Sequence, residues 1–166
     1  MPSKTLPPKP RSIAAKKTIS IVASLYNEDL VNSLLDSTVH GLRTLIPGIT
    51  VNIYRVPGAF EIPVCVKKLI ESNNVDVMIA LGVIIKGETS HAELVGSSVT
   101  QSLQEIATNF NTPIIHEVLL TENRDQAIER CKGDKNRGKE AAKAAATMSE
   151  LFTSLDAANK RTSQLS

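Results

Sequence analysis

A near-continuous apolar run, Val77-Met78-Ile79-Ala80-Leu81, passes into Gly82-Val83-Ile84-Ile85-Lys86-Gly87-Glu88-Thr89-Ser90-His91, and a helical pattern begins at once. A strand that is apolar on both sides belongs in the middle of a parallel sheet covered on both faces. Parallel strands need crossover connections, which are usually helices. The loop at the carboxyl end of such a strand is where open α/β sheets place their ligands, so chemistry is expected near Gly87 to His91.

The rest of the chain repeats this alternation. Residues 18 to 24 read as a first strand, and Leu30, Val31, Leu34, Leu35, Val39, Leu42 and Leu45 recur after it at helical spacing until Pro47-Gly48. Residues 50 to 56 form a second strand, followed by a helical pattern from Phe60 to Ile70 with Pro63 in its first turn. The third strand spans 75 to 81, and its helix carries Val95, Val99, Leu103, Ile106 and Phe110 as one stripe. Residues 113 to 120 make a fourth strand. Asn123 then stands three residues before Gln126, the spacing of a helix cap and its reciprocal partner. A last helix presents Ala141, Ala145, Met148, Phe152 and Leu155 inward. The predicted fold is α/β, with a four-stranded parallel sheet between two helical layers.

The 166 residues suffice for one compact domain. It is expected over residues 18–156, with 1–17 as a basic, proline-containing disordered arm and 157–166 as a frayed tail. The arm lacks the apolar core of a secretory signal, and no stretch approaches a membrane span, so a cytoplasmic protein with no membrane partner is expected. A transit function for the arm stays open, because basic, acid-poor segments also serve that role. A formal charge of +2 and 3% aromatic residues argue against nucleic acid. Cys65 and Cys131 lie in helical patterns without metal-ligand or CxxC spacing, so buried thiols are expected and no metal.

Gly87, Glu88, Thr89 and Ser90 stand where unpaired N–H groups and the helix dipole favour an anion, with phosphate the natural candidate. Thr89 and Ser90 equally suit a plain helix cap. The segment has neither of the common nucleotide-loop patterns. His91, in the first turn, has a side chain able to exchange protons near neutrality. The other strand ends converge on the same edge. Tyr26 offers a ring for a planar heterocycle, while Asn27 and Glu61 offer hydrogen bonds to ring or polyol groups. Arg130 and Arg137 flank a polar loop and are candidate phosphate ligands, although exposed arginines are commonly plain surface.

In order along the chain, Tyr26-Asn27, Val56-Pro57-Gly58-Ala59-Phe60-Glu61-Ile62-Pro63, the 81–91 segment, Thr121-Glu122-Asn123 with Gln126-Ala127, and Asn136-Arg137-Gly138 resemble the lumazine synthase family. The resemblance covers about Thr18 to Met148 and implies a flavodoxin-like three-layer sandwich. It implies a transferase of riboflavin biosynthesis. The reaction would condense 5-amino-6-(D-ribitylamino)uracil with 3,4-dihydroxy-2-butanone 4-phosphate, giving 6,7-dimethyl-8-ribityllumazine, phosphate and water, without cofactor or metal.

By position, the resemblance places Tyr26 on the pyrimidine and Ala59, Phe60 and Glu61 along the ribityl chain. Backbone at Val83, Ile84 and Ile85 would hold the uracil, and Asn27 belongs to the same substrate-binding set. Glu88, Thr89 and Arg130 fall at phosphate-binding positions, and His91 at that of the proton carrier. The resemblance further implies a homopentamer, in some members a shell of twelve pentamers, with each site between subunits. His116 and Arg130 of one subunit would then face Tyr26 and His91 of another.

Three departures stand out. His116-Glu117 replaces the usual Phe-Gly of strand four, Ala92-Glu93-Leu94 lacks the neighbouring rings common after the histidine, and Arg137 replaces the usual lysine. Arginine keeps the charge but not the geometry. The first departure motivates an alternative, a non-catalytic flavin- or lumazine-binding or shell-forming homologue.

Overall fold

The computed structural model describes residues 16–165. Four strands, β1 (Thr18–Ser24), β2 (Thr50–Val56), β3 (Val77–Ile85) and β4 (Ile114–Thr121), form one parallel sheet in the order β2-β1-β3-β4. The central positions of β1 and β3 explain their composition: Ile19, Ile21, Val22, Met78, Ile79 and Leu81 are wholly buried. The edge strands are less completely covered: β2 is half-buried or exposed except at Val56, and β4 is buried from Glu117 to Leu119 and at Thr121.

Five α-helices connect and cover the sheet: α1 (Glu28–Leu45), α2 (Ile62–Ser72), α3 (His91–Phe110), α4 (Arg124–Cys131) and α5 (Gly138–Gln164). Leu30, Val31, Leu34 and Leu42 of α1 pack with Ala127 of α4 and the alanines of α5 against one face. Ile62, Val66 and Leu69 of α2 and Val99, Leu103 and Ile106 of α3 cover the other. Each fully buried aliphatic side chain contributes about 1.5–3 kcal/mol, so both helical layers are held chiefly by this burial. The architecture is the flavodoxin-like α/β sandwich.

Several expectations are adjusted. β3 continues four residues past Leu81, because Gly82 to Ile85 pair in register with Val118 to Thr121 of β4. The segment from Phe60 begins as a 3-10 turn, Ala59–Glu61, before α2. The inner face of α5 consists of Gly138, Ala141, Ala142, Ala145, Ala146 and Ser149, whereas Met148 and Phe152 are half-buried and Leu155 is exposed. Small residues are needed there, since a Cβ at Gly41 of α1 would lie 2.7 Å from that of Ala142.

α5 also runs to Gln164 instead of fraying from residue 157, with Thr162 and Ser163 hydroxyls bonding the Ala158 and Asn159 carbonyls along an exposed helix. Most of the expected N-terminal arm lies outside the described residues. Its last residue, Lys17, is buried and belongs to the fold: its ammonium donates to Thr153 Oγ1 and pairs with Asp76 at 3.4 Å. Among the described residues, no helix is long and apolar enough to cross a membrane.

Candidate active site

Because the strands are parallel, their four carboxyl ends lie along one edge of the sheet. β1 leads outward to β2 and β3 to β4, so the chain direction reverses between β1 and β3, where open α/β sheets form a crevice. A cleft of about 400 Å³ opens there. It is lined by Tyr26 after β1, Gly58, Ala59 and Phe60 after β2, Val83, Ile84 and Ile85 of β3, and Gly87, Thr89, His91, Ala92 and Val95. Seven of the sequence-selected residues, Tyr26, Ala59, Phe60, Val83, Ile84, Ile85 and Thr89, therefore meet at one place with His91.

Two further candidates shape this cleft from behind. Asn27 adopts a left-handed conformation (φ 56°) and its amide donates to the Val83 carbonyl at 2.8 Å, tying the turn after β1 to β3. A short polar side chain suits that backbone. Glu61 turns back to accept the Gly58 N–H at 2.9 Å, which closes the turn that presents Ala59 and Phe60. Tyr26 and Phe60 are 74% and 61% exposed, so two aromatic rings stand uncovered at the cleft mouth. Exposed rings at a concave site offer stacking surface to a planar ligand.

The loop from Gly87 to Ser90 is exposed. Ser90, at the N-cap of α3, makes no capping bond, and Thr89 Oγ1 accepts the His91 N–H only at a long 3.5 Å. The helix end is thus weakly capped by these hydroxyls, in keeping with an anion-accepting terminus. Lys86 anchors the loop's start. Its N–H donates to Thr121 O at 2.8 Å, and its ammonium reaches Glu122 Oε1 at 2.6 Å and Glu93 Oε1 at 3.3 Å. The hydrogen bonds that its ammonium donates to Glu122, first, and to Glu93, second, hold Lys86 above the usual lysine range. Sequence reasoning quoted Lys86 only as part of a motif, because its partners lie on separate elements.

Arg130 and His116 are not in this cleft. His116, on β4, has Nε2 2.9 Å from Thr100 Oγ1 of α3. Arg130 lines a second recess, of about 640 Å³, with Leu119, Glu129, Asp134, Lys135, Arg137 and Glu140. Lys135 pairs there with Glu129, and Arg137 with Glu117 and Glu140. Among the described residues Arg130 alone of these three cations has no ion-pair partner. The loop that carries the recess is fixed by Asn136, whose amide donates to the Cys131 and Ser33 carbonyls and accepts the Gly138 N–H at 2.8 Å.

Glu88 is exposed beside Gly87. The forward half of the expected cap at α4 is present, with Gln126 N–H donating to Asn123 Oδ1 at 2.8 Å, whereas Gln126 Oε1 accepts the N–H of Glu122, one residue before the cap, at 2.8 Å. Cys131 is buried, which pushes its thiol up to about 11, while Cys65 is half-buried. Both are poor nucleophiles in such settings. No group of three metal-ligating side chains occurs among the described residues.

Residues 16–153 match the family described as 6,7-dimethyl-8-ribityllumazine synthase. Proteins of that name from Burkholderia mallei (strain SAVP1) and Burkholderia pseudomallei (strain K96243) are each 45% identical over 139 residues, spanning 83% of this chain and 79% of the relative. One from Burkholderia multivorans (strain ATCC 17616 / 249) is 43% identical over the same length and coverage. The match spans the cleft-forming strand ends and the Arg130 recess alike, and the chain belongs to the 6,7-dimethyl-8-ribityllumazine synthase family.

Proposed function

We propose that this protein condenses 5-amino-6-(D-ribitylamino)uracil with 3,4-dihydroxy-2-butanone 4-phosphate to form 6,7-dimethyl-8-ribityllumazine. The observation that carries the reading is the convergence of Tyr26, Ala59, Phe60, the Val83–Ile85 backbone, Thr89 and His91 on one cleft at the sheet's switch point. Family membership supplies the reaction that this cleft suits.

The uracil ring stacks on Tyr26, its edge bonds the backbone of Val83 to Ile85, and its ribityl chain follows Ala59, Phe60 and Glu61. Asn27 contributes by holding Val83 in place. The ketone's phosphate lies at Glu88 and Thr89, with charge supplied by Arg130. The uracil's amine attacks the ketone carbonyl and water leaves, giving an imine. Loss of the proton next to the imine expels phosphate and leaves an enol that tautomerises to a ketone; the ribitylamino nitrogen then attacks that carbonyl and a second water leaves, which closes the new ring. His91 carries protons between these steps. Holding two reactants in register supplies much of the acceleration, since well-oriented reactions gain effective molarities of up to about 10⁵–10⁸ M.

Arg130 lines a recess that shares no residue with the His91 cleft. A complete site therefore combines the cleft of one copy with the Arg130 recess and the His116 edge of another, and the working form is a homopentamer or a shell of pentamers. The test is a fluorescence assay for the lumazine from the two purified substrates, run with the oligomer mass measured. Product formed by a pentamer or larger assembly supports the reading. Folded oligomer that binds riboflavin and yields no product would replace it with the non-catalytic alternative.

A further inference from the structure

Glu117 and Arg137, singled out separately in the sequence, form an ion pair in the fold. Glu117 lies on the inward face of β4 with only 6% of its surface exposed. Its Oε2 is 3.5 Å from Arg137 Nε, and Arg137 Nη1 is 3.0 Å from Glu140 Oε2. Arg137 in turn donates its backbone N–H to the Arg130 carbonyl at 2.8 Å and lines the same recess as Arg130. A chain of contacts thus leads from the rigid sheet, through Glu117 and Arg137, to the end of α4 where Arg130 sits.

A buried carboxylate is costly unless paired, and a guanidinium offers a planar fork that two carboxylates can grip. Lysine at 137 would present a single rotatable charge. Glycine at 117 would leave the guanidinium without its inner partner. Glu117 and Arg137 therefore make sense together.

We propose that Glu117 is a positioning residue: it holds the Arg137 guanidinium in the recess that Arg130 also lines, so that an anion entering there meets a held cation as well as Arg130. The inference rests on the reading of Arg130 as a phosphate ligand. It opposes the simplest electrostatic expectation, in which removing a nearby negative charge strengthens anion binding.

The test uses the full-length oligomer, with inorganic phosphate titrated calorimetrically into wild type, Glu117→Gln, Arg137→Gln and the double variant. Phosphate binding by Glu117→Gln is expected to weaken about fivefold to tenfold, or about 1–1.4 kcal/mol, because the change loosens a neighbour of the anion and does not remove a direct ligand. The double variant should bind no more weakly than Arg137→Gln alone. Steady-state kinetics should show the KM for the phosphorylated ketone raised with kcat nearly unchanged. Unchanged or tighter phosphate binding by Glu117→Gln, or a double variant whose loss is the product of the two single losses, overturns the proposal. Should Glu117→Gln fail to fold, Glu117→Asp, which draws the charge back by one methylene, carries the same expectation. Weakened phosphate binding in a protein that makes no lumazine would sink the proposed reaction and leave this role standing. Normal turnover with unaltered phosphate binding would do the reverse.

Discussion

Asn136 is a small side chain with a large structural task. It lies in the turn between α4 and α5, with only 9% of its surface exposed. Its Nδ2 donates to Ser33 O of α1 at 3.1 Å and to Cys131 O at the end of α4, and its Oδ1 accepts the first N–H of α5 at 2.8 Å. One side chain thus satisfies a carbonyl left over at one helix end and an N–H left over at another. Alanine removes all three bonds at once. At about 1 kcal/mol net for each, Asn136→Ala loses roughly 3 kcal/mol. For a chain of this size that lowers the melting temperature by about 6–12 °C. Aspartate is the sharper probe, because it keeps the acceptor for Gly138 but turns two donors into an oxygen facing two carbonyls. Asn136→Asp should therefore be worse than alanine at neutral pH and recover part of its deficit as acid protonates the carboxyl. The assay is urea unfolding at one protein concentration, since assembly links stability to concentration. A loss under about 1 kcal/mol for alanine, or aspartate milder than alanine at neutral pH, would refute the accounting.

Other substitutions separate the proposed roles. His91→Ala should slow turnover by about tenfold to a hundredfold with little change in uracil binding, measured by single-turnover fluorescence. Arg130→Ala should instead raise the KM for the phosphorylated ketone by roughly 10–100-fold, and equal loss with a phosphate-free ketone would count against that assignment. Glu117 titrates above the usual carboxylate range because burial outweighs the attraction of Arg137. A raised carboxyl pKa means that folding is favoured below the unfolded pKa and that this advantage is lost as pH rises through the folded value. Glu117→Gln should therefore gain stability on wild type as pH rises from the unfolded carboxyl range toward neutrality, seen as a growing difference in urea midpoint, even while phosphate binding weakens. Gly138→Ala would place a Cβ 2.4 Å from the Leu34 carbonyl oxygen, and overpacking of this kind costs about 1–3 kcal/mol. A thermal midpoint within error of wild type would show that α1 and α5 part more easily than their spacing suggests.

The fold was legible in the sequence because its periods are clean. Buried central strands leave apolar runs, covering helices leave stripes, and the alternation of the two permits a parallel sheet. The cleft was legible for the same reason, since parallel strands deliver their loop residues to one edge whatever the strand order. Less visible was the division of labour inside the site. Asn27 and Glu61 looked like ligand-facing groups, yet their side chains bond Val83 and Gly58, which a linear pattern of polar residues does not reveal. The reach of β3 past Leu81 depends on its pairing with β4, a partner thirty-odd positions away. The inner face of α5 was misjudged for a related reason: large residues carry the hydropathy signal, whereas the closeness of α1 selects alanine and glycine. The ion pair of Glu117 with Arg137 joins two oddities that could only be noted separately in sequence.

The Lys17 clamp lies at the other edge of the sheet. Its ammonium, joined to Asp76 before β3 and Thr153 of α5, gathers three distant stretches of chain where the strands begin, and the Thr18 N–H adds a 2.8 Å bond to the same aspartate. The molecule is therefore fastened at one rim and open at the opposite one. Such a division leaves the loops at the open rim, the exposed Gly87 to Ser90 among them, free to change side chains without loosening the rim that keeps the strands aligned.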